Sequence, residues 1–209
     1  PEQLVKLMRS FGIKGELVPV VSLCLGPCEV TVAEMVDAYT TFPNKGIRVD
    51  PIYVTRIEDA NGNIVAEFTP KTTEVIDEET SYKMLNMLTG VMDNGTGVRV
   101  RYRYNVNAPA GGKTGTTQNN SDGWFIGFTP TLVSGVWVGW EDRSVHFSGM
   151  AEGQGASMAL PIWAYYMDKV LKDPELGYDP NERFDIPSWF DSNAGCSNEK
   201  EPITTDFTD

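Results

Sequence analysis

The chain has 209 residues, 41% hydrophobic and 22% charged, a globular composition long enough to bury one sizeable core or two small ones. A formal net charge of -12 argues against a nucleic-acid binder, because phosphates demand Lys and Arg in excess. The longest apolar stretches, such as Thr131 to Trp140, fall short of the roughly 20 residues that cross a bilayer, so neither a membrane span nor a signal peptide is expected.

The chain opens at Pro1 and runs straight into a helical pattern, which predicts a piece of a longer protein. Leu4, Leu7, Met8 and Phe11 stand at helical spacing and Gly12 follows as a stop. Cys24 and Cys28 either pair across a sharp turn at Leu25-Gly26-Pro27 or remain buried free thiols, the second being the simpler expectation. With Cys196 and the single His146 they do not make a zinc spacing, so no metal or other cofactor is expected.

Thr31 and Glu34 form a capping box, with Val30 and Met35 placed for a hydrophobic staple, and predict a helix over 32–42. Pro43 and Asn44-Lys45-Gly46 end it. From Ile47 the period changes to two, and Asn61-Gly62 supplies a tight turn before Ile64 to Phe68, predicting a β-hairpin. Asp77 caps a helix over 78–93 whose stripe is Tyr82, Leu85, Leu88 and Met92, with Gly95 and Gly97 beyond its end. Arg99, Arg101 and Arg103 alternate, which places all three on one face of a strand, as a charge-guarded edge or an anion site.

The second half predicts three strands: Gly111 to Thr117, Trp124 to Phe128 and Leu132 to Trp140. Their short connections imply an antiparallel meander. Gly127, Gly135 and Gly139 suggest that something packs closely on this sheet, and a helix over 156–171 containing Trp163 and Met167 is the natural cover. Residues 1–190 are expected to form one domain portion, and 191–209 an acidic, poorly ordered tail.

The stretch that carries chemistry is Gly111-Gly112-Lys113-Thr114-Gly115-Thr116-Thr117. A Lys-Thr-Gly on an edge strand is the third signature element of penicillin-recognising serine acyl-transferases. Glycines at 111, 112 and 115 would let a substrate backbone lie against the strand, while Thr114 and Thr116 alternate with Lys113 and so face the other way. The blocks Asp122-Gly-Trp-Phe-Ile-Gly-Phe-Thr-Pro130 and Val133-Ser-Gly-Val-Trp-Val-Gly139 follow. Leu25-Gly26, Glu29-Val-Thr, Glu34-Met35 and Ala38-Tyr39 stand upstream, and Gly155-Ala156 with Pro161-Ile-Trp163 downstream. Together they closely resemble the transpeptidase domain of class A penicillin-binding proteins, from about Pro1 to Met167.

The resemblance implies an α+β fold, an antiparallel β-sheet covered by helices, as a partial penicillin-binding protein or serine β-lactamase-like transpeptidase. It implies part of a peptidoglycan D,D-transpeptidase at the periplasmic or extracytoplasmic face of a bacterial membrane. The parent would be membrane-anchored, with a glycosyltransferase domain upstream. Lys113 and Thr116 would be catalytic, with Thr114, Gly115, Thr116 and Thr117 binding a D-Ala-D-Ala stem peptide or a β-lactam. The family also needs Ser-x-x-Lys and Ser-x-Asn, and neither stands upstream of Lys113. Ser197 to Lys200 has the spacing but lies after the third motif, in the wrong order. The isolated chain is therefore expected to be inactive. The alternative is a non-catalytic β-lactam sensor or structural module of the same fold.

Other chemistries fit less well. His146 has no Gly-x-Ser-x-Gly elbow to serve. Glu29, Glu34 and Asp37 could suggest a glycosidase pair, but a capped helix start explains them more simply. Trp124, Trp137, Trp140 and Trp163 could form a carbohydrate platform, although sheet-to-helix core packing is the preferred expectation.

Overall fold

A computed structural model describes residues 1–190; the tail expected at 191–209, including Ser197 and Lys200, lies outside the described residues. Helix α1 (Glu2–Ser10) ends where Gly12 adopts φ +93°, and the chain then folds back so that Ile13, Leu17 and Leu23 bury against Ala38. Helix α2 (Val32–Thr40) begins at the predicted capping box: Glu34 N-H donates to Thr31 Oγ1 at 3.1 Å, and Thr31 N-H donates to Glu34 Oε2 at 2.8 Å. Glu34 Oε1 also accepts from the N-H of Lys14 and of Gly15, which ties the loop after α1 to the start of α2.

The period-two run from Ile47 divides between two ribbons. Strand β1 (Ile47–Val49) pairs antiparallel with β4 (Thr72–Glu74), while β2 (Arg56–Glu58) and β3 (Ile64–Glu67) make the hairpin around Asn61-Gly62. Asp59 Oδ1 accepts from the N-H of Asn61 and of Asn63, and Gly62 takes φ +83°, so the turn chemistry is local. Helix α3 (Glu78–Asp93) starts at Asp77, whose carboxylate accepts from Thr80 N-H at 2.8 Å, and it buries Tyr82, Leu85, Leu88 and Met92 as its pattern predicts.

The arginine triplet is not a strand. Arg99–Tyr102 form a short helix, α4, with Arg103 at its end, so the three side chains diverge. Arg101 folds inward, donating to Val106 O at 2.9 Å and Ala108 O at 2.6 Å while pairing with Asp93 at 2.9 Å. Arg99 donates to Ser157 Oγ, and Arg103 lies 5.8 Å from the Tyr104 ring centroid. These tertiary bonds override the local alternation, and neither the guarded edge nor the anion site forms.

The central sheet is the predicted meander, β5 (Gly111–Thr116), β6 (Asp122–Phe128) and β7 (Val133–Gly139), in the order β5-β6-β7 and antiparallel throughout. A short helix α5 (Met150–Gly153) leads into α6 (Gly155–Lys172), which covers one face with Leu160, Trp163, Ala164 and Met167, packed on Phe125 together with Met92 and Val100. The opposite face is closed by α2 and α3. Phe128 packs with Tyr82, Leu85 and Leu88, and Gly135 faces Val32 and Val36.

Candidate active site

Strand β5 is an edge strand: among the described residues it pairs only with β6. Thr117 N-H donates to Asp122 O at 3.2 Å, so the backbone groups of the odd-numbered positions turn toward β6. By alternation those of Gly112, Thr114 and Thr116 turn outward. Thr114 O accepts instead from Lys113 Nζ at 2.8 Å, which brings the ammonium to the open edge.

The register puts Lys113 opposite Ile126 and Thr114 opposite Phe125, so the lysine and the two threonines leave opposite faces of the strand, as their alternation predicts. Thr114 Oγ1 lies 2.9 Å from Thr96 Oγ1. Thr116 Oγ1 accepts from Gly155 N-H at 3.0 Å. A hydroxyl that accepts still holds its one proton to donate. Thr117 Oγ1 accepts from Asp122 N-H at 3.1 Å and lies 2.9 Å from Ser121 Oγ, pinning the turn that follows the strand. Sequence patterning predicts neither the Thr96 nor the Gly155 contact, since they span 18 and 39 residues of chain.

The glycines differ from expectation in their reason. A Cβ at Gly111 would lie 2.5 Å from the Phe128 ring, and one at Gly112 would lie 2.8 Å from Ile126 O. At Gly115 it would stand 3.1 Å from Trp124 Cβ. The protein's own side chains and backbone claim that space, so the packing of the sheet by itself calls for these glycines.

Of the four tryptophans weighed as a carbohydrate platform, Trp163 is fully buried, which agrees with core packing, and Trp124 is half-buried. Trp140 is 65% exposed and Trp137 is also exposed, which corrects the core expectation for that pair. The cysteines also depart from expectation. Both are free, but Cys24 is exposed and only Cys28 is half-buried against the cluster of Ile13 and Leu23, so they are neither paired nor jointly buried. Burial, followed by the nearby Glu34 carboxylate, pushes the Cys28 thiol up.

Glu34 behaves oppositely. Backbone N-H donors from Thr31 and Lys14 hold its carboxyl down at about 2. Asp37 pairs with Arg48 at 2.8 Å but is raised, because burial outweighs the guanidinium. These carboxylates are structural, consistent with a capped helix start. Among the described residues no group of three or more His, Cys, Asp or Glu side chains is assembled to hold a metal ion. Concavities of about 550 and 640 Å3 lie elsewhere, one around Arg183 and one between α2 and residues 49–53. The candidate site is instead an open sheet edge, singled out by the chemistry of its residues and not by enclosure.

Residues 2–148 match the family described as the penicillin binding protein transpeptidase domain. The chain belongs to this family. The transpeptidase chain is 37% identical over 186 residues to penicillin-binding protein 1A of Aquifex aeolicus, covering 89% of this chain and 24% of that protein. It is 34% identical over 208 residues to penicillin-binding protein 2D of Bacillus subtilis, covering 93% of this chain and 29% of that protein. It therefore spans about a quarter of the length of the curated relatives it matches. The crystal structure of penicillin-binding protein 1A from Haemophilus influenzae superposes with a TM-score of 0.74 at 24% identity, covering 87% of this chain and 32% of that one. PonA1 of Mycobacterium tuberculosis in complex with penicillin V gives 0.72 at 23%, covering 90% and 53%. These likenesses establish the transpeptidase-type α+β fold.

Proposed function

We propose that this chain supplies the substrate-binding edge of a serine D,D-transpeptidase that cross-links peptidoglycan and is acylated by β-lactams. The observation that carries this reading is the outward edge of β5, unpaired among the described residues, which carries the Thr116 N-H and the Lys113 ammonium folded back onto Thr114 O, with two threonine hydroxyls on the adjoining face. A D-alanyl-D-alanine terminus, or a β-lactam, lies along that edge as an added strand. Thr114 and Thr116 donate to its carboxylate, each bond contributing about 1.5 to 3 kcal/mol. The Thr116 N-H is one of two oxyanion donors, and such a donor typically changes turnover on the order of 100- to 1000-fold. Lys113 supplies positive charge and reaches across the cleft to the parent's Ser-x-Asn element. Gly115 and Thr117 complete the edge, the first by letting the strand lie close against Trp124 of β6 and the second by pinning the turn.

The attacking serine of the parent belongs to a Ser-x-x-Lys outside these 209 residues. Its oxygen adds to the carbonyl of the penultimate D-alanine as its proton passes to the adjacent Lys. The C-N bond then breaks, and the Lys gives that proton to the departing amine of the terminal D-alanine. An amino group of a second stem peptide displaces the serine from the acyl-enzyme, returning a proton to its oxygen. The parent acts on the extracytoplasmic face of the membrane, held there by an anchor outside this chain and joined to a glycosyltransferase domain. Within the described residues no helix is long and apolar enough to cross a membrane.

Peptide mapping of the full-length parent after labelling with fluorescent penicillin tests this. The adduct is expected on a serine outside this chain. An adduct on Ser197 or another residue of this chain would contradict the reading. Reversible binding without any adduct would favour the non-catalytic module.

A further inference from the structure

We propose that Thr96 is a positioning residue that sets the polarity of the carboxylate-binding edge through Thr114. Its hydroxyl lies 2.9 Å from Thr114 Oγ1, although the two residues are 18 positions apart. The inference rests on the reading that Thr114 donates to the ligand carboxylate.

The turn that carries Thr96 is built for close placement. A Cβ at Gly95 would lie 2.8 Å from Val91 Cα, and one at Gly97 would lie 3.0 Å from Met92 Sδ, so both glycines let the turn sit on the last turn of α3. Gly97 N-H donates to Val91 O at 2.9 Å and Val98 N-H to Gly95 O at 3.1 Å, fixing the backbone on both sides of Thr96. Behind it, Met92 and Val100 are buried in the core beneath α6. The hydroxyl is therefore held by a turn anchored to α3 and the core, although the residue itself is exposed to solvent.

A threonine hydroxyl has one proton and two lone pairs. If Thr114 donated to Thr96, it would present only lone pairs to an incoming carboxylate, and the contact would be repulsive. With Thr96 donating to Thr114, the Thr114 proton points out and the chain Thr96 to Thr114 to carboxylate is polarised in one direction. Each bond in such a chain strengthens the next. Thr96 touches no reacting atom in this arrangement. It fixes which way a neighbour's proton faces, and hence how strongly the edge prefers a ligand that ends in a free carboxylate.

The test compares two probes on the full-length parent: a penicillin and the same penicillin as its methyl ester, which lacks the free carboxylate. Second-order acylation rates are measured for the wild type, Thr96→Val, Thr96→Ser and Thr114→Val, with thermal unfolding as a check on folding. Thr96→Val is expected to slow acylation by the acid about tenfold and to leave the ester within about twofold. Thr96→Ser, which keeps the hydroxyl, is expected to restore the acid rate. An equal loss on both probes, or no loss on either, would overturn the proposal while Thr114→Val still lowers the preference for the acid. If Thr114→Val leaves that preference intact, the reading of the strand fails, and the proposal with it.

Discussion

A side chain at Gly127 would occupy the place of the Trp163 ring: its Cβ would lie 2.5 Å from Trp163 Cε2, and Trp163 Nε1-H donates to Gly127 O at 3.3 Å. The middle strand and the covering helix are thus in contact through backbone and ring, with Phe125 edge-on to the same indole at 5.1 Å. Gly127→Ala is therefore expected to overpack this junction and cost about 1 to 3 kcal/mol. Trp163→Ala, which empties it, is expected to cost about 3 to 5 kcal/mol. Urea denaturation of the parent's transpeptidase domain measures both.

Arg48 joins three elements. It pairs with Asp37 at 2.8 Å and with Asp50 at 2.7 Å, and its Nε-H donates to Ser10 O at 3.0 Å. Asp37 is already held in a setting where burial disfavours its charge, and its Oδ1 has no hydrogen-bond partner among the described residues. Arg48→Met is expected to destabilise by about 3 to 5 kcal/mol, because it strands that carboxylate. The double variant Arg48→Met with Asp37→Leu should recover part of the loss, and a double-mutant cycle of denaturation midpoints checks it.

The capping-box carboxylate gives a pH dependence of definite sign. Glu34 titrates at about 2 in the folded chain against an ordinary 4.5, so its stabilisation is fully present above 4.5 and is lost as pH falls toward 2. Asp37, raised by burial, acts in the opposite sense, since protonation relieves a disfavoured charge. Glu34→Gln is thus expected to lose stability relative to wild type at pH 6, with the gap narrowing by pH 3. A gap that stays constant between these pH values would show that the Glu34 charge does not contribute.

The two described cysteines should differ in reactivity. Cys24 is exposed, while the Cys28 thiol is half-buried and raised, first by burial and then by Glu34. In a Cys196→Ser background, one thiol should react with a disulfide reagent at the rate of an exposed cysteine and the other on the order of tenfold more slowly. Cys24→Ser should abolish the fast phase.

Much of this fold was legible because its signals are local. The capping box at Thr31, the Asp77 cap, the Asn61-Gly62 turn and the meander from Gly111 to Gly139 all follow from spacings within a few residues. What failed depended on contacts distant in sequence. Arg99, Arg101 and Arg103 alternate like a strand, yet the bonds of Arg101 to Asp93, Val106 and Ala108 settle them as a helical turn. The β5 glycines signalled close approach, and composition could not say that Phe128 and Trp124 stand against them. At the candidate site the strand and its alternation were readable in advance. The bonds from Thr96 and Gly155 were not, since each arrives from another element.

The role of the β5 edge is tested most directly by the second-order rate at which penicillin acylates the full-length parent, wild type against Lys113→Ala and Thr116→Ala, with folding verified by thermal unfolding. A fall on the order of 10- to 100-fold in each variant, the loss of one charge-assisted side-chain bond with the Thr116 N-H retained, at unchanged unfolding temperature, is the expected result. Rates within about twofold of wild type in both would contradict the assignment of this strand to the acyl-peptide groove.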